Sequence, residues 1–213
     1  MLRRSFLTRF PAFTLLQAPV SAVRAWQAAR HPQDDWMDAL PGKHRVIIDA
    51  VSAEGAGSAI LFANNLYVAN QSGYGLVDRD VAIIVVLRHF ATAFAFADPI
   101  WAKYGAGMNA FLKFNDPKTQ KAPTTNLYNS ADYGTSLPSF GNTIDAIVKR
   151  GTHFAVCDMA THFISENLPG AGNADAVYKE FTANLIPNSH LVAAGVVGVN
   201  RAQERGYTLV YAG

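Results

Sequence analysis

The chain has 213 residues, of which 50% are hydrophobic and 16% are charged. This length and composition fit one α/β domain with a sizeable core and exclude an intrinsically disordered chain. Five arginines precede Asp34, the first acidic residue, and without them the chain carries 13 basic and 16 acidic residues, a net charge of −3. The rest of the chain has no basic run, so nucleic acid is excluded as an expected partner.

The N-terminal residues are typical of a targeting signal. The sequence LRRSFLT at residues 2–8 resembles the bacterial twin-arginine export motif, although its first and last residues depart from the usual pattern. The apolar stretch 10–23 contains two prolines and is too short to span a bilayer stably. We therefore predict a targeting segment at 1–30, export by the twin-arginine route and a periplasmic location. The alternatives are an amphipathic helix that stays on the protein and a mitochondrial-type presequence.

A polar linker at 31–42 leads into alternating strand and helix patterns, which predict a parallel sheet with crossover helices. The predicted strands are 45–50, 81–87, 153–157, 190–194 and 207–211. The predicted helices are 58–71 (ended by Gly73), one that starts at Asp98-Pro99, 139–150, 175–185 and 196–205. The polar, turn-rich residues 113–137 predict an insertion on the surface of a domain that spans 43–213. The predicted fold is a three-layer α/β/α arrangement with a five-stranded parallel sheet, of the flavodoxin-like type.

Cys157 is the only cysteine, and it ends the third predicted strand. Ligands of open parallel sheets bind beyond the C-terminal ends of the strands. If a helix starts at Asp158, its backbone N–H groups lower the pKa of the thiol, whereas the Asp158 carboxylate opposes this unless it caps the helix. Cys157 is therefore the candidate reactive group. The alternative is a small buried hydrophobe that closes the strand.

Two histidines are candidates to tune this thiol. His89 follows the second predicted strand, and His162 lies five residues after Cys157. Together with Cys157 they would offer ligands for zinc or copper, but their spacing fits no standard metal motif, and we assign neither a metal nor a cofactor. The alternatives are a hydrogen-bonded residue at a strand end for His89 and an exposed helix residue for His162.

The segment EGAGS at 54–58 follows the first strand and opens a helix. It is similar to a dinucleotide fingerprint, but Ile60 stands at the third glycine position and the second strand is not followed by an acid that would hold a ribose. We interpret the segment as a tight turn whose amides hold a small anion, with Arg88 as the counter-charge. The alternative is a plain βα turn. The candidate ligand-binding residues are Glu54, Gly55, Gly57, Arg88 and Asp158.

Three segments carry a family resemblance. The strand FAVC at 154–157 and the stretches VAAG at 192–195 and AQERGY at 202–207 resemble the DsrE/DsrF-like family, in particular its exported, functionally uncharacterised branch with a twin-arginine leader. The resemblance covers 43–213. It implies the three-layer fold and assembly into trimers or hexamers. It also implies that Cys157 stands where members linked to sulfur oxidation and tRNA thiolation carry sulfur as a persulfide.

The sequence leaves three functions open. The first is a periplasmic protein that binds or transfers sulfur through a partly exposed Cys157. The second is a non-catalytic, oligomeric protein that binds a small ligand in a pocket at the strand ends, lined by the segment 90–101, with Cys157 buried and structural. The aromatic side chains of 90–104 would form a lid over that edge, a subunit interface or core. The third is a metal-dependent redox protein that uses Cys157, His89 and His162. Whether the chain is an enzyme stays open.

Overall fold

A computed structural model describes residues 27–213, so the predicted export motif at 2–8 lies outside the described residues. The described chain forms a five-stranded sheet in which every neighbouring pair is parallel, with helices on both faces. This confirms the predicted three-layer α/β/α fold class. Within residues 27–213, each helix is too short or too polar to cross a membrane.

The strands form at the short apolar runs of the sequence. They are β1 (His44–Ala50), β2 (Val81–Leu87), β3 (His153–Cys157), β4 (Ser189–Val192) and β5 (Thr208–Ala212). Their spatial order is β4-β3-β2-β1-β5, so β2 is central and all seven of its residues are buried. Such complete burial explains why β2 is a continuous apolar run rather than an alternating one.

Seven α-helices connect or flank these strands in the described part of the chain. They are α1 (Trp36–Ala39), α2 (Ala53–Tyr74), α3 (Asp98–Leu112), α4 (Ile144–Lys149), α5 (Asp158–Asn167), α6 (Ala174–Ala183) and α7 (Gly195–Gln203). Helix α2 continues through Gly73, where its predicted end was wrong. Its cap is Gly75, whose φ of +67° is the left-handed conformation that glycine adopts without strain.

The direction of the connections distributes the helices between the two faces. From β1 to β4 each strand is added on the same side, and right-handed crossovers then place α2 to α6 on one face. The step from β4 to β5 runs back across the sheet and places α7 on the other face. Alternate residues of β1 follow this division, since Ile48 packs in the larger core with α2 to α6 whereas Ile47 packs in the smaller core with Ala202 of α7.

The segment before β1 completes the smaller layer. Met37 is fully buried, and its carbonyl oxygen accepts hydrogen bonds from Tyr207 Oη at 2.6 Å and from Arg45 Nη1 at 2.9 Å. Arg205 Nε donates to Asp38 Oδ2 at 3.0 Å. Residues 32–40, most of the predicted polar linker, are therefore packed against the sheet.

The predicted surface insertion at 113–137 contributes to the larger core. Four of its apolar side chains are buried there: Phe114, Leu127, Tyr128 and Leu137. The buried side-chain amide of Asn126 donates to the carbonyl oxygens of Phe94 and Phe96 at 2.9 and 3.0 Å. These bonds satisfy two backbone groups of a short 3-10 connection after β2, so part of the segment is structural rather than superficial.

Two half-buried histidines form a pair at the N-terminal edge of the sheet. His153 Nδ1 and His190 Nε2 are 3.0 Å apart, and the ring of Trp36 stacks on His190 with 3.9 Å between centroids. Burial lowers the pKa of both imidazoles, and the neighbouring His153 lowers the pKa of His190 further. Because one nitrogen must donate and the other accept, the bond requires that the pair is not doubly protonated.

We predict that the free energy of unfolding falls as the pH drops below about 6.5, the ordinary histidine value. Below that pH the two histidines bind protons in the unfolded chain, whereas in the folded chain they stay unprotonated because their pKa values are lowered. Stability is therefore lost as the pH falls from 6.5 through the lowered folded pKa values, and this pair contributes no pH dependence above 6.5. Urea denaturation of wild type and His190→Gln between about pH 8 and about pH 5 measures the effect.

The variant His190→Gln should lose part of this slope. His44→Gln, at an exposed histidine on the same sheet edge, is the matched control and should keep the wild-type slope. Equal slopes in wild type and His190→Gln would contradict the prediction.

Candidate functional site

A pocket of about 280 Å³ opens at the C-terminal ends of β2, β3 and β4. It is lined by Arg88, His89, Cys157, Met159, Ala160, Ala194, Gly195 and Val196. Helix α5 leaves β3 toward one face of the sheet, and α7 leaves β4 toward the other. The pocket therefore lies where the connections change face, which is the position at which open α/β sheets bind ligands.

The Cys157 side chain caps the N-terminus of α5. Its Sγ accepts a hydrogen bond from the backbone N–H of Ala160 at 3.4 Å, and Thr161 Oγ1 donates to the Cys157 carbonyl oxygen at 2.9 Å. The helix begins at Asp158, directly after the strand, which is the condition under which the sequence analysis placed helix N–H groups at the sulfur. Only 6% of Cys157 is exposed, so the thiol is accessible only through the pocket.

Arg88 is held by a residue that the sequence analysis did not select. Its Nε and Nη2 donate to Asp49 Oδ1 and Oδ2 at 2.7 and 2.9 Å. Donation to the Asp49 carboxylate raises the pKa of Arg88 against the opposing effect of burial, and Tyr211 and Cys157 contribute in the same direction as Asp49. Asp49 therefore offsets much of the charge that the sequence analysis gave to Arg88 as the counter-ion of a bound anion. The one signal for Asp49 in the sequence is an acid that directly follows the apolar residues Val46, Ile47 and Ile48 of the first strand.

Gly195 makes room for Arg88 at the start of α7. A Cβ at this position would overlap the Cβ of Arg88. The first turn of α7 has no side-chain cap, and its residues Gly195 and Val196 line the pocket. Two helix N-termini, those of α5 and α7, thus border one small space. The positive ends of their dipoles favour a small anion there.

The mouth of the pocket combines one imidazole with apolar side chains. His89 is exposed and has a φ of +55°, the left-handed conformation that is uncommon outside glycine. Its ring lies 4.4 Å from the ring of Phe90. Met159 and Val196 are 67% and 59% exposed. His89 therefore lies with Cys157 and Arg88 at one pocket, as the sequence analysis grouped them.

His162 and Asp158 do not line this pocket. The ring of His162 stacks on Tyr178 of α6 at 3.9 Å, and Tyr178 Oη donates to Asp158 Oδ1 at 2.7 Å, which raises the pKa of Tyr178 to about 12. The proposed tuning of Cys157 by His162 therefore has no geometric basis. Within residues 27–213, three or more His, Cys, Asp or Glu side chains nowhere come together as metal ligands would, so the three-residue redox site is not formed.

The glycine-rich segment 54–58 packs against the protein itself. A Cβ at Gly55 would overlap the carbonyl oxygens of Ala212 and Gly213, and one at Gly57 would overlap the ring of Tyr128. Ser52 Oγ accepts from Gly55 N at 2.8 Å and donates to the Gly213 oxygen at 2.6 Å. This leaves no room for an anion against the two glycines, and the exposed Glu54 is not part of the Cys157 pocket.

The aromatic stretch after β2 is core rather than a lid. Phe94, Phe96 and Trp101 are fully buried and belong to the larger core. Phe94 packs against Trp101 with 5.2 Å between ring centroids. The pocket of the second hypothesis, which this stretch would line, is therefore not formed.

Comparison with known proteins does not name a relative. No protein-family model matches the chain, and no similar protein is found among curated proteins. The DsrE/DsrF-like resemblance accordingly stays a prediction that rests on the residues quoted for it.

We predict opposite effects for two glycine substitutions in α2. Gly55→Ala should lower the free energy of unfolding by about 1–3 kcal/mol, because its methyl group meets the backbone of Ala212 and Gly213. Gly73→Ala, with no atom within 4 Å of the added methyl group, should raise it by up to about 1 kcal/mol. Urea denaturation followed by circular dichroism measures both. A Gly55→Ala variant as stable as Gly73→Ala would refute the packing role of Gly55.

Proposed function

We propose that this protein carries sulfur on Cys157, accepted from a small persulfide or polysulfide. The observation that supports the proposal best is the position of the Cys157 sulfur. It lies at the start of α5, in a pocket that also contains Arg88 and the start of α7. Positive helix ends and a guanidinium favour negative charge in this pocket, and the nucleophilic form of a cysteine is its negatively charged thiolate.

The proposed step balances without an outside oxidant or reductant. The Cys157 thiolate attacks the outer sulfur of a donor persulfide, RS–SH. The S–S bond of the donor breaks as the new S–S bond forms, and the donor leaves as the thiolate RS⁻. The product, a Cys157 persulfide, loses its proton to solvent or to His89 at the mouth, and the resulting anion lies beside Arg88.

The exposure of Cys157 restricts the donor. With 6% of the residue exposed and about 280 Å³ of pocket, a low-molecular-weight sulfur compound can reach the sulfur. A cysteine fixed on the surface of a folded partner would have to displace Met159 and Val196 first. The proposal therefore favours a small-molecule donor.

We further propose that the chain is an exported relative of the DsrE/DsrF-like family. The fold class and the cysteine at the end of the third strand support the family, and the motif at 2–8 supports export. Mass spectrometry of the protein from periplasmic and cytoplasmic fractions of a bacterial host tests the export. An uncleaved chain confined to the cytoplasm would reject it.

A second candidate function treats Cys157 as structural. The observation that favours it is the hydrogen bond from Ala160 N to Sγ together with the burial of the thiol, which suit a helix cap. In that case the pocket would bind a small anion without covalent chemistry. The chain would then be a ligand-binding protein.

Incubation of the native full chain with an inorganic polysulfide, followed by mass spectrometry, decides between the two. We expect one added sulfur atom on Cys157 that a reducing agent removes, and none in Cys157→Ser. Wild-type protein that gains sulfur only after unfolding would reject the carrier function. The structural role of Cys157 would then hold.

The charge of the pocket predicts a preference for anionic reagents at the thiol. We compare alkylation rates of iodoacetate and iodoacetamide, which differ in charge but share a leaving group. Arg88→Gln should lower the iodoacetate-to-iodoacetamide ratio about two- to fivefold, which corresponds to about 0.5–1 kcal/mol for a partly solvated charge. Asp49→Asn should raise the ratio, because it leaves Arg88 unneutralised.

Arg79→Gln is the control for this comparison, since Arg79 is exposed and does not line the pocket. It should leave the ratio at the wild-type value. Equal shifts in Arg88→Gln and Arg79→Gln would show that the net charge of the protein, and not the pocket, sets the preference.

A further inference from the structure

A second surface, at the β5 edge of the sheet, is marked by its lack of charge. Helix α2 has no charged residue from Gly55 to Tyr74, and β5 has none from Thr208 to Ala212. β5 has β1 on one side and no strand on the other in the described chain. Proteins usually protect such an edge with charges, prolines or bulges, because its free N–H and C=O groups pair readily with another strand.

The two elements form an apolar groove of about 360 Å³. The groove is lined by Phe62, Asn65, Leu66 and Ala69 of α2 and by Val210 of β5. The four helix residues follow one stripe of α2, at intervals of three and four residues. Val68 of α2 is 48% exposed beside this groove. Leu209 and Tyr211 are 44% and 60% exposed on the other face of β5, because successive strand residues alternate and Val210 packs on the α2 side. We call the groove and these neighbours the α2–β5 face.

We propose that the α2–β5 face is a homodimer interface in which β5 pairs antiparallel with β5 of a second copy. A two-fold axis near Val210 would set this residue against its own counterpart. Leu209 would then lie opposite the partner subunit's Tyr211. The two sheets would join into one of ten strands, with both copies of α2 on the same face. This proposal does not rest on the function of Cys157.

The absence of charge selects a second copy as the occupant. Residues near a two-fold axis meet their own counterparts, so a charge there would face a like charge. A face without charges avoids this repulsion in a homodimer. A face that binds a different protein has no such constraint, because its charges can pair with opposite charges on that protein.

The dimensions of the face match those of a small stable interface. Helix α2 has 22 residues and is about 33 Å long, and β5 has five residues and extends about 17 Å. The groove itself involves only residues 62–69 of α2. Contact along the full helix, a strip about 33 Å by about 15 Å, would bury roughly 500 Å² on each copy and roughly 1,000 Å² in total, the lower limit for a specific interface. The strand pairing adds main-chain hydrogen bonds to this apolar area.

Sedimentation velocity of the full chain tests the proposal. We expect a species of twice the 23.0 kDa chain mass, or of six times that mass if two-fold pairs assemble into the hexamer that the family resemblance implies. A trimer, which contains no two-fold pair, would contradict the proposal. Ala69→Glu puts one charge on each half of the interface and should raise the dimer dissociation constant at least about tenfold, through like-charge repulsion and desolvation. Ala102→Glu is the matched control, an exposed alanine within α3, and should leave the dimer intact.

A second pair of variants tests the strand edge. Leu209→Lys on β5 should dissociate the dimer, whereas Leu191→Lys on β4, at a leucine of similar exposure, should not. Circular dichroism establishes that each variant is folded. If a variant of one pair unfolds, the other variant and its control still test the interface. A monomeric wild type would overturn the proposal, as would an oligomer that survives both Ala69→Glu and Leu209→Lys. A monomer that sediments with phosphatidylcholine vesicles would also overturn it.

Discussion

The return of the chain from β4 across the sheet to β5 is the constraint on which the arrangement of this protein depends. The first four strands are added in one direction, so their crossover helices cover one face. Only the last connection reverses, and it places α7 on the other face. As a result α5 and α7 start side by side but diverge. The Cys157 sulfur and Gly195 meet in the space between these two helix starts.

The same reversal leaves the second face thinly covered. Helix α7 alone does not bury it, and the segment 32–40 supplies the remaining apolar side chains. The segment 32–40 has little regular structure of its own, and polar side chains next to the sheet fix it in place by hydrogen bonds. Arg45 and Tyr207 both donate to the Met37 carbonyl oxygen, and Arg205, whose side chain is fully buried, donates to Asp38. The reversal also leaves β5 at an edge, beside the uncharged helix α2.

The sequence predicts those features that depend on local patterns. All five strands were predicted within about two residues of their bounds, because each is a short apolar run between turn residues. The start of α5 directly after Cys157 was considered only as a condition, and no helix was predicted between 157 and 175. The pairing of Arg88 with Asp49 was not predicted, because the two residues lie 39 positions apart and meet only once strand order is known. The interpretation of Gly55 as part of an anion-binding turn failed for the same reason, because the space beside Gly55 is filled by Gly213, which is distant in sequence.

The Asp49–Arg88 pair bears on which anion the pocket would hold. Asp49 takes the Nε and Nη2 donors of the guanidinium, the fork that recognises phosphate or carboxylate with two parallel hydrogen bonds. What remains is a partly neutralised charge and the N–H groups of two helix starts. An anion that needs a broad positive potential and few directed bonds suits these groups better than an oxyanion does. A polarisable sulfur anion on Cys157 has that character, so the pairing agrees with the proposed sulfur carrier.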